Sequence, residues 1–256
     1  MPKTQLSQIN VADLPKNGHG STNGAEEPKK RKVRNGKPSN ELVLSAYMQG
    51  NDTVFPQILR LYVKPGSKVA DVTYGKGVFW RHIPDDEYDL QATDLQDGVD
   101  CRSLPYSDAS LDCVVFDPPY MHTPGGTAHT AHNQFESHYR NNATGNRTES
   151  KYHEAVLELY DDGAREAYRV LKERGVFIVK CQDEVCANQQ RFTHVEIMAS
   201  YQAMGFVAED LFVIVRNNRP GVSRVVQQVH ARKNHSYFLV FWKSGDGKNK
   251  RWTPPQ

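Results

Sequence analysis

The chain has 256 residues, 38% of them hydrophobic and 24% charged, which suits one domain with extensions and a sizeable core. A formal net charge of only +2 excludes a globally basic protein, so nucleic-acid contacts must come from local patches. The four cysteines, Cys101, Cys113, Cys181 and Cys186, show no Cys-x-x-Cys spacing. That argues against a disulfide framework and for a reducing cytoplasm. No apolar stretch is long enough to cross a membrane and no signal-peptide pattern appears, so no membrane partner is expected.

Residues 1–40 are polar and carry few apolar anchors, the composition of a disordered basic tail. Within them Pro28-Lys29-Lys30-Arg31-Lys32-Val33-Arg34 resembles a nuclear-import signal; the plainer reading is a solvated tail that touches phosphate. A folded domain is expected over 41–243, with a basic tail at 244–256. Thr53–Tyr62 reads as a helix with Pro56 near its first turn. Lys68–Val72 reads as a buried strand, followed by a glycine loop and a helix through Val78–Arg81. Tyr88–Thr93 is a second strand, and Leu111–Phe116, an apolar run, a third. Tyr152–Leu171 has helical periodicity, with Val156, Leu159, Tyr160, Ala167, Val170 and Leu171 on one face. A turn at Glu173–Gly175 leads to a strand at Val176–Val179. Thr193–Met204 is a helix stopped by Gly205, and Phe206–Val215 and His235–Trp242 are the final strands. Alternating strands and helices predict an α/β fold with a mainly parallel sheet covered on both faces.

In such sheets ligands sit beyond the carboxyl ends of the strands, and Asp71, Asp94, Asp100 and Asp117 are all placed at or after such ends. Asp71-x-Thr73-x-Gly75-x-Gly77 separates a strand from a helix, and its glycines let a ligand approach the backbone. A third glycine of the dinucleotide fingerprint is replaced by Trp80, and Gly-Lys-Ser/Thr is absent, which disfavours a phosphate-cradling loop. Asp94 suits a ribose diol. Asp100 can accept from an adenine amino group, with the Cys101 backbone N–H donating to the ring.

Asp117-Pro118-Pro119-Tyr120 closes the third of these strands. The carboxylate and the Pro118 carbonyl supply two acceptors, and Tyr120 supplies a flat stacking face. Two acceptors beside a stacking face suit an exocyclic amino group on a nucleobase that has left its stack.

With these residues the chain resembles the S-adenosylmethionine-dependent DNA amino-methyltransferases that carry a DPPY motif, over residues 53–242. The resemblance implies a Rossmann-like class I methyltransferase fold with an antiparallel last strand. It implies S-adenosyl-L-methionine as cofactor, with Phe55, Asp71, Thr73, Gly75, Gly77, Asp94, Asp100 and Cys101 around it. It also implies Asp117, Pro118, Pro119 and Tyr120 as the catalytic set, acting on N6 of adenine in DNA. An endonuclease partner, as in restriction-modification, is compatible with the family. RNA adenine-N6 methylation, DNA cytosine-N4 methylation and a catalytically silent cofactor-binding scaffold stay open as alternatives.

Two inserted loops are the expected nucleic-acid contacts. Residues 121–151 include Arg140 and Arg147 among several histidines, and residues 216–235 include Arg216, Arg219, Arg224, Arg232 and Lys233. The histidines lack an accompanying Cys/Asp/Glu pattern, so no metal is expected.

Overall fold

The computed structural model describes residues 42–120, 152–186, 188–216 and 227–245. In chain order they form β1 (Ala46–Tyr47), α1 (Asn51–Tyr62), β2 (Lys68–Asp71), β3 (Asp89–Ala92), β4 (Leu111–Phe116) and α2 (Tyr152–Val170). There follow β5 (Leu171–Cys181), β6 (Glu184–Cys186), β7 (Gln189–Arg191), α3 (Thr193–Met204), β8 (Phe206–Val215) and β9 (His235–Lys243). Seven strands make one sheet in the order β1-β8-β9-β5-β4-β2-β3, while β6 and β7 form a separate hairpin. The pairs β1–β8, β2–β3, β2–β4 and β4–β5 are parallel, and β9 runs antiparallel to both β5 and β8. This is the Rossmann-like arrangement of class I methyltransferases that the sequence implies, antiparallel last strand included.

The strand sequences explain why both faces are covered. In β4, Cys113 and Val115 point to one face and Val114 and Phe116 to the other, and all four are buried. The first face packs against α1 through Val54, Phe55, Ile58 and Leu59. The second packs against α2 and α3 through Val156, Leu159, Tyr160, Ile197 and Tyr201. Burial of each such side chain stabilises the fold by roughly 1.5–3 kcal/mol. The apolar stripe predicted for the 152–171 helix is buried, with Ala155 and Ala164 added to it, except that Leu171, also buried, already belongs to β5. Gly163 lies in that stripe because a Cβ there would stand 2.6 Å from Cζ of Phe116. At the end of α3, Gly205 takes φ 105°, and its N–H bonds back to the last-turn carbonyls.

Several expectations are corrected. The helix predicted through Val78–Arg81 is a single 3-10 turn, Val78–Trp80, because Phe79 and Trp80 are drawn into the aromatic core beside Phe55. Pro56 sits in the second turn of α1, since the helix starts two residues earlier than predicted. The helix tolerates the lost N–H because its flanking apolar residues are fully buried. The turn expected at Glu173–Gly175 falls inside β5, where Arg174 takes φ 64° and the pairing with β4 shifts register. No strand precedes Asp100 directly; a 3-10 turn, Leu95–Asp97, separates it from β3. Neither β1 nor the β6–β7 hairpin was expected. Among the described residues no helix is long and apolar enough to cross a membrane.

Candidate active site

Because β2, β3, β4, β5 and β8 run the same way, their carboxyl ends share one end of the sheet, where the antiparallel β9 begins. Asp71, the last residue of β2, is buried there. Its Oδ2 accepts from Trp80 Nε1 at 2.7 Å and its Oδ1 from the Thr73 N–H at 3.1 Å. Burial pushes its carboxyl up to about 7, against the pull of those two hydrogen bonds. Asp71 thus folds the first half of the glycine loop back onto the strand.

Asp94 holds the second half. Its Oδ2 accepts from the Gly75 N–H at 3.1 Å and its Oδ1 from the Gln96 N–H at 3.0 Å. Gly75 takes φ 52° and Gly77 φ 62°, the left-handed region that glycine enters without strain. A Cβ on Gly75 would meet only the Thr73 carbonyl, at 3.9 Å, so the loop's apex is an open cradle. A Cβ on Gly77 would collide with the Tyr74 ring.

Asp100 is buried and paired with Arg102: Nε bonds Oδ1 at 3.0 Å, Nη2 bonds Oδ2 at 2.8 Å, and the Arg102 N–H bonds Oδ1 at 2.9 Å. Cys101 is buried between them. Phe55 is wholly buried, with ring centroids 5.0 Å from Phe79, 5.3 Å from Trp80 and 5.9 Å from Phe238. It forms the aromatic wall behind the glycine loop and presents no surface of its own.

The tetrad continues from β4 into the same space. The Asp117 N–H donates to Thr73 Oγ1 at 2.6 Å, which joins the tetrad to the glycine loop. The Tyr120 hydroxyl donates to Asp117 Oδ1. Pro118 is buried, while Asp117, Pro119 and Tyr120 are partly exposed. Desolvation raises the Asp117 carboxyl above the usual carboxylate range, while the positive charges of Lys180 and Arg216 and the Tyr120 hydrogen bond oppose it. Arg216, just past β8, therefore stands near enough for its charge to act on the tetrad. Arg232 is exposed and Lys233 half-buried, with Nζ 5.9 Å from the Phe192 ring. Arg140, Arg147, Arg219 and Arg224 lie outside the described residues.

These positions group into a glycine loop, an aromatic wall and a carboxylate-bearing tetrad at one end of a parallel sheet. The sequence model of the DNA methylase family matches residues 111–256, more than half of the chain, and its match begins at β4 and the tetrad. The chain belongs to the DNA methylase family.

S-adenosyl-L-methionine is the methyl donor that goes with this family. The residues present fit it: the cradle over Gly75 is open, and the Asp94 carboxylate keeps lone pairs beyond its two backbone partners. Among solved structures, a Thermus thermophilus protein assigned as a DNA modification methylase and complexed with S-adenosyl-L-methionine is 21% identical. That match covers 60% of this chain and 56% of that one, with a TM-score of 0.38. TrmN from Thermus thermophilus is 17% identical over 76% of this chain and 50% of its own, with a TM-score of 0.45. A SAM-dependent methyltransferase from Methanosarcina mazei is 11% identical over 74% of this chain and 97% of its own, with a TM-score of 0.41. The chain thus spans little more than half the length of the Thermus thermophilus protein complexed with S-adenosyl-L-methionine. No curated protein sequence matches it.

The site end of the sheet also holds polar groups that the sequence reading missed. Lys180, in β5, is buried and donates to Ser236 Oγ at 2.5 Å. Its signal was a lysine directly after the apolar run Val176–Val179. Asp183 binds His194 Nδ1 at 2.6 Å through Oδ1 and accepts from the Tyr237 hydroxyl at 3.2 Å through Oδ2. His153, buried in the first turn of α2, is held between Glu184 and Glu196, at 2.7 Å from each. No local pattern marks those two clusters, because each is assembled from three elements distant in sequence. Among the described residues no group of His, Cys, Asp and Glu is arranged to hold a metal ion.

Proposed function

We propose that this methylase transfers a methyl group from S-adenosyl-L-methionine to the exocyclic N6 of adenine in DNA. The supporting observation is the hydrogen bond from the Asp117 N–H to Thr73 Oγ1, which ties the amino-recognising tetrad to the glycine loop. Asp94 takes the ribose diol, the loop from Thr73 to Gly77 lies along the methionine part, and Asp71 keeps that loop in place. Asp100 and Cys101 border the adenine of the cofactor. The Asp100 carboxylate is spread over Arg102, so it fixes the shape of that loop as well as offering an acceptor.

S-adenosyl-L-methionine, when bound, supplies a methyl carbon on a positively charged sulfur, which keeps the bonding electron pair when the methyl leaves. The chain's residues do the rest. The target adenine is taken out of the stack, since its amino group is out of reach inside the duplex. Asp117 and the Pro118 carbonyl accept its two amino hydrogens, which frees the nitrogen lone pair to point at the methyl carbon. Tyr120 stacks on the ring. As positive charge grows on the nitrogen, the Asp117 carboxylate stabilises it and then takes the surplus proton, passing it to solvent. No cysteine nucleophile is needed. Arg216, Arg232 and Lys233, with Arg140, Arg147, Arg219 and Arg224, hold phosphates around the target.

The test is incubation of the purified chain with labelled S-adenosyl-L-methionine and either DNA or RNA, followed by mass spectrometry of the released nucleosides. N6-methyl-deoxyadenosine is the expected product. N4-methyl-deoxycytidine, or a methylated ribonucleoside alone, would replace the substrate assignment. An absence of product from every polymer would overturn methyl transfer itself.

A further inference from the structure

We propose that Lys180 is a positioning residue for methyl transfer, the buried counter-charge that keeps the Asp117 carboxylate anionic and ready to accept from the target amino group. This inference rests on the reading of Asp117 as the amino acceptor.

Sheet register carries it. β4 and β5 are parallel, with Phe116 opposite Val179. One residue further along each chain, Asp117 and Lys180 are neighbours, about 4.8 Å apart at the backbone. Side chains alternate across the sheet, and Phe116 and Val179 both face α2. Lys180 therefore turns to the opposite face, the one lined by α1, and Asp117 leaves the end of β4 directly beside it. The contacts agree: Lys180 Nζ lies 4.7 Å from the ring of Phe238, a residue of the α1-side core, and reaches Ser236 Oγ on the same strand, β9.

A lysine at 1% exposure needs a reason to be charged there. Its packing neighbours are Phe238 and, behind it, Phe55 and Phe79, which offer no anion. Ser236 accepts from one of its three N–H groups. The charged and titratable groups that act on it are Asp117 on β4, Cys181 beside it on β5 and Arg216 past β8. Of these, Asp117 alone brings a carboxylate. The groups that act on Asp117 are Lys180, Tyr120 and Arg216, with Asp71 of β2, Cys181 of β5 and Tyr160 of α2 interacting in turn, and of these only Lys180 and Arg216 are cations. Arg216 is exposed, so solvent screens it; Lys180 is not. The dependence runs both ways: burial lowers the Lys180 ammonium to about 8, and the Asp117 charge is what restrains that fall.

The anion matters because a protonated Asp117 keeps an acceptor oxygen but can neither stabilise the positive charge growing on the nitrogen nor take its surplus proton. Lys180 thus sets the lowest pH at which the tetrad works.

The test uses the full chain, selectively carbon-13 labelled at aspartate carboxyls, with Asp117→Asn to assign the signal. Lys180→Met should raise the Asp117 titration midpoint by about one pH unit or more, and Lys180→Arg should restore it. The acid limb of the methyl-transfer rate should move by the same amount, with a loss approaching about tenfold at pH values below both midpoints. An unchanged Asp117 midpoint in Lys180→Met overturns the pairing even if the enzyme methylates DNA. Should that variant not fold, Asp117→Asn decides through nitrogen-15 lysine signals: the Lys180 midpoint should fall, and an unmoved one overturns the pairing. A shifted midpoint in a protein that methylates nothing would overturn the catalytic role together with the transferase reading, while leaving the charge coupling in place.

Discussion

Asp117 and Asp71 are carboxylates at neighbouring strand ends with opposite duties. Asp71 serves the fold. Its two hydrogen bonds close the glycine loop, and burial holds its carboxyl near 7. A folded value raised above the ordinary one means that the protonated form favours folding. That contribution is complete below about pH 4 and is lost as pH rises through about 7. For the cofactor-free protein, Asp71→Asn should therefore gain stability relative to the parent across that window, by a total on the order of 4 kcal/mol. Urea melts at pH 4, 5, 6, 7 and 8 measure it; a gap that closes with rising pH would contradict the assignment. Asp117, in the proposed mechanism, serves the chemistry. Asp117→Ala should leave cofactor affinity within about threefold, since no part of the proposed donor site is removed, and lower methyl transfer by at least about a thousandfold. Calorimetry with S-adenosyl-L-methionine and a labelled-transfer assay separate the two effects.

At the scale of elements, α2 and β4 meet where packing touches function. Phe116 precedes Asp117, and its ring lies against Gly163, Tyr160 and Phe177. Gly163 is helical, so alanine there would suit the helix in isolation. In this fold the added methyl would fall 2.6 Å from the Phe116 ring and push it, and the tetrad behind it, out of place. Gly163→Ala should cost about 1–3 kcal/mol through overpacking and lower the transfer rate, despite its better helix propensity. Circular dichroism melts and initial rates check both; a stabilised, fully active variant would show that Phe116 has room to move. The β6–β7 hairpin is tied in by a different device. His153 joins α2 to the hairpin through Glu184 and to α3 through Glu196. Burial opposes its protonation, yet the two carboxylates outweigh that and raise it above the ordinary histidine value. His153 thus fastens these three elements, and its two carboxylate partners favour the charged form.

Over the whole molecule, one seven-stranded sheet divides the core into two layers, and the site end needs both. The α1 layer supplies the aromatic wall and the Lys180 side of the tetrad; the α2–α3 layer supplies the support under Phe116. Phe177, in β5, is fully buried and stacks with Phe116, Tyr201 and Phe206. Phe177→Ala should cost about 3–5 kcal/mol, a large share of a domain's stability. The loss should appear in secondary-structure and aromatic signals together, as a lower urea midpoint. A change confined to α3 would show that the two layers unfold separately.

The sequence by itself determined the strands and helices that flank the site, the buried face of α2, the apolar run of β4, and the tetrad with its glycine loop. Each of these is written in neighbouring residues: a 3.6-residue stripe, a short apolar run, a turn with glycines, four consecutive side chains. The tertiary structure decided what depends on contacts between distant residues. It turned the 78–81 helix into a 3-10 turn because Phe79 and Trp80 are claimed by the core. It gave Asp94 the task of pinning Gly75, and spread Asp100 over Arg102. It revealed Lys180 as a neighbour of Asp117, a fact of strand register that no local pattern contains. Local order follows from each residue's own geometry and hydropathy, while charge pairing follows from where the sheet sets its strands side by side.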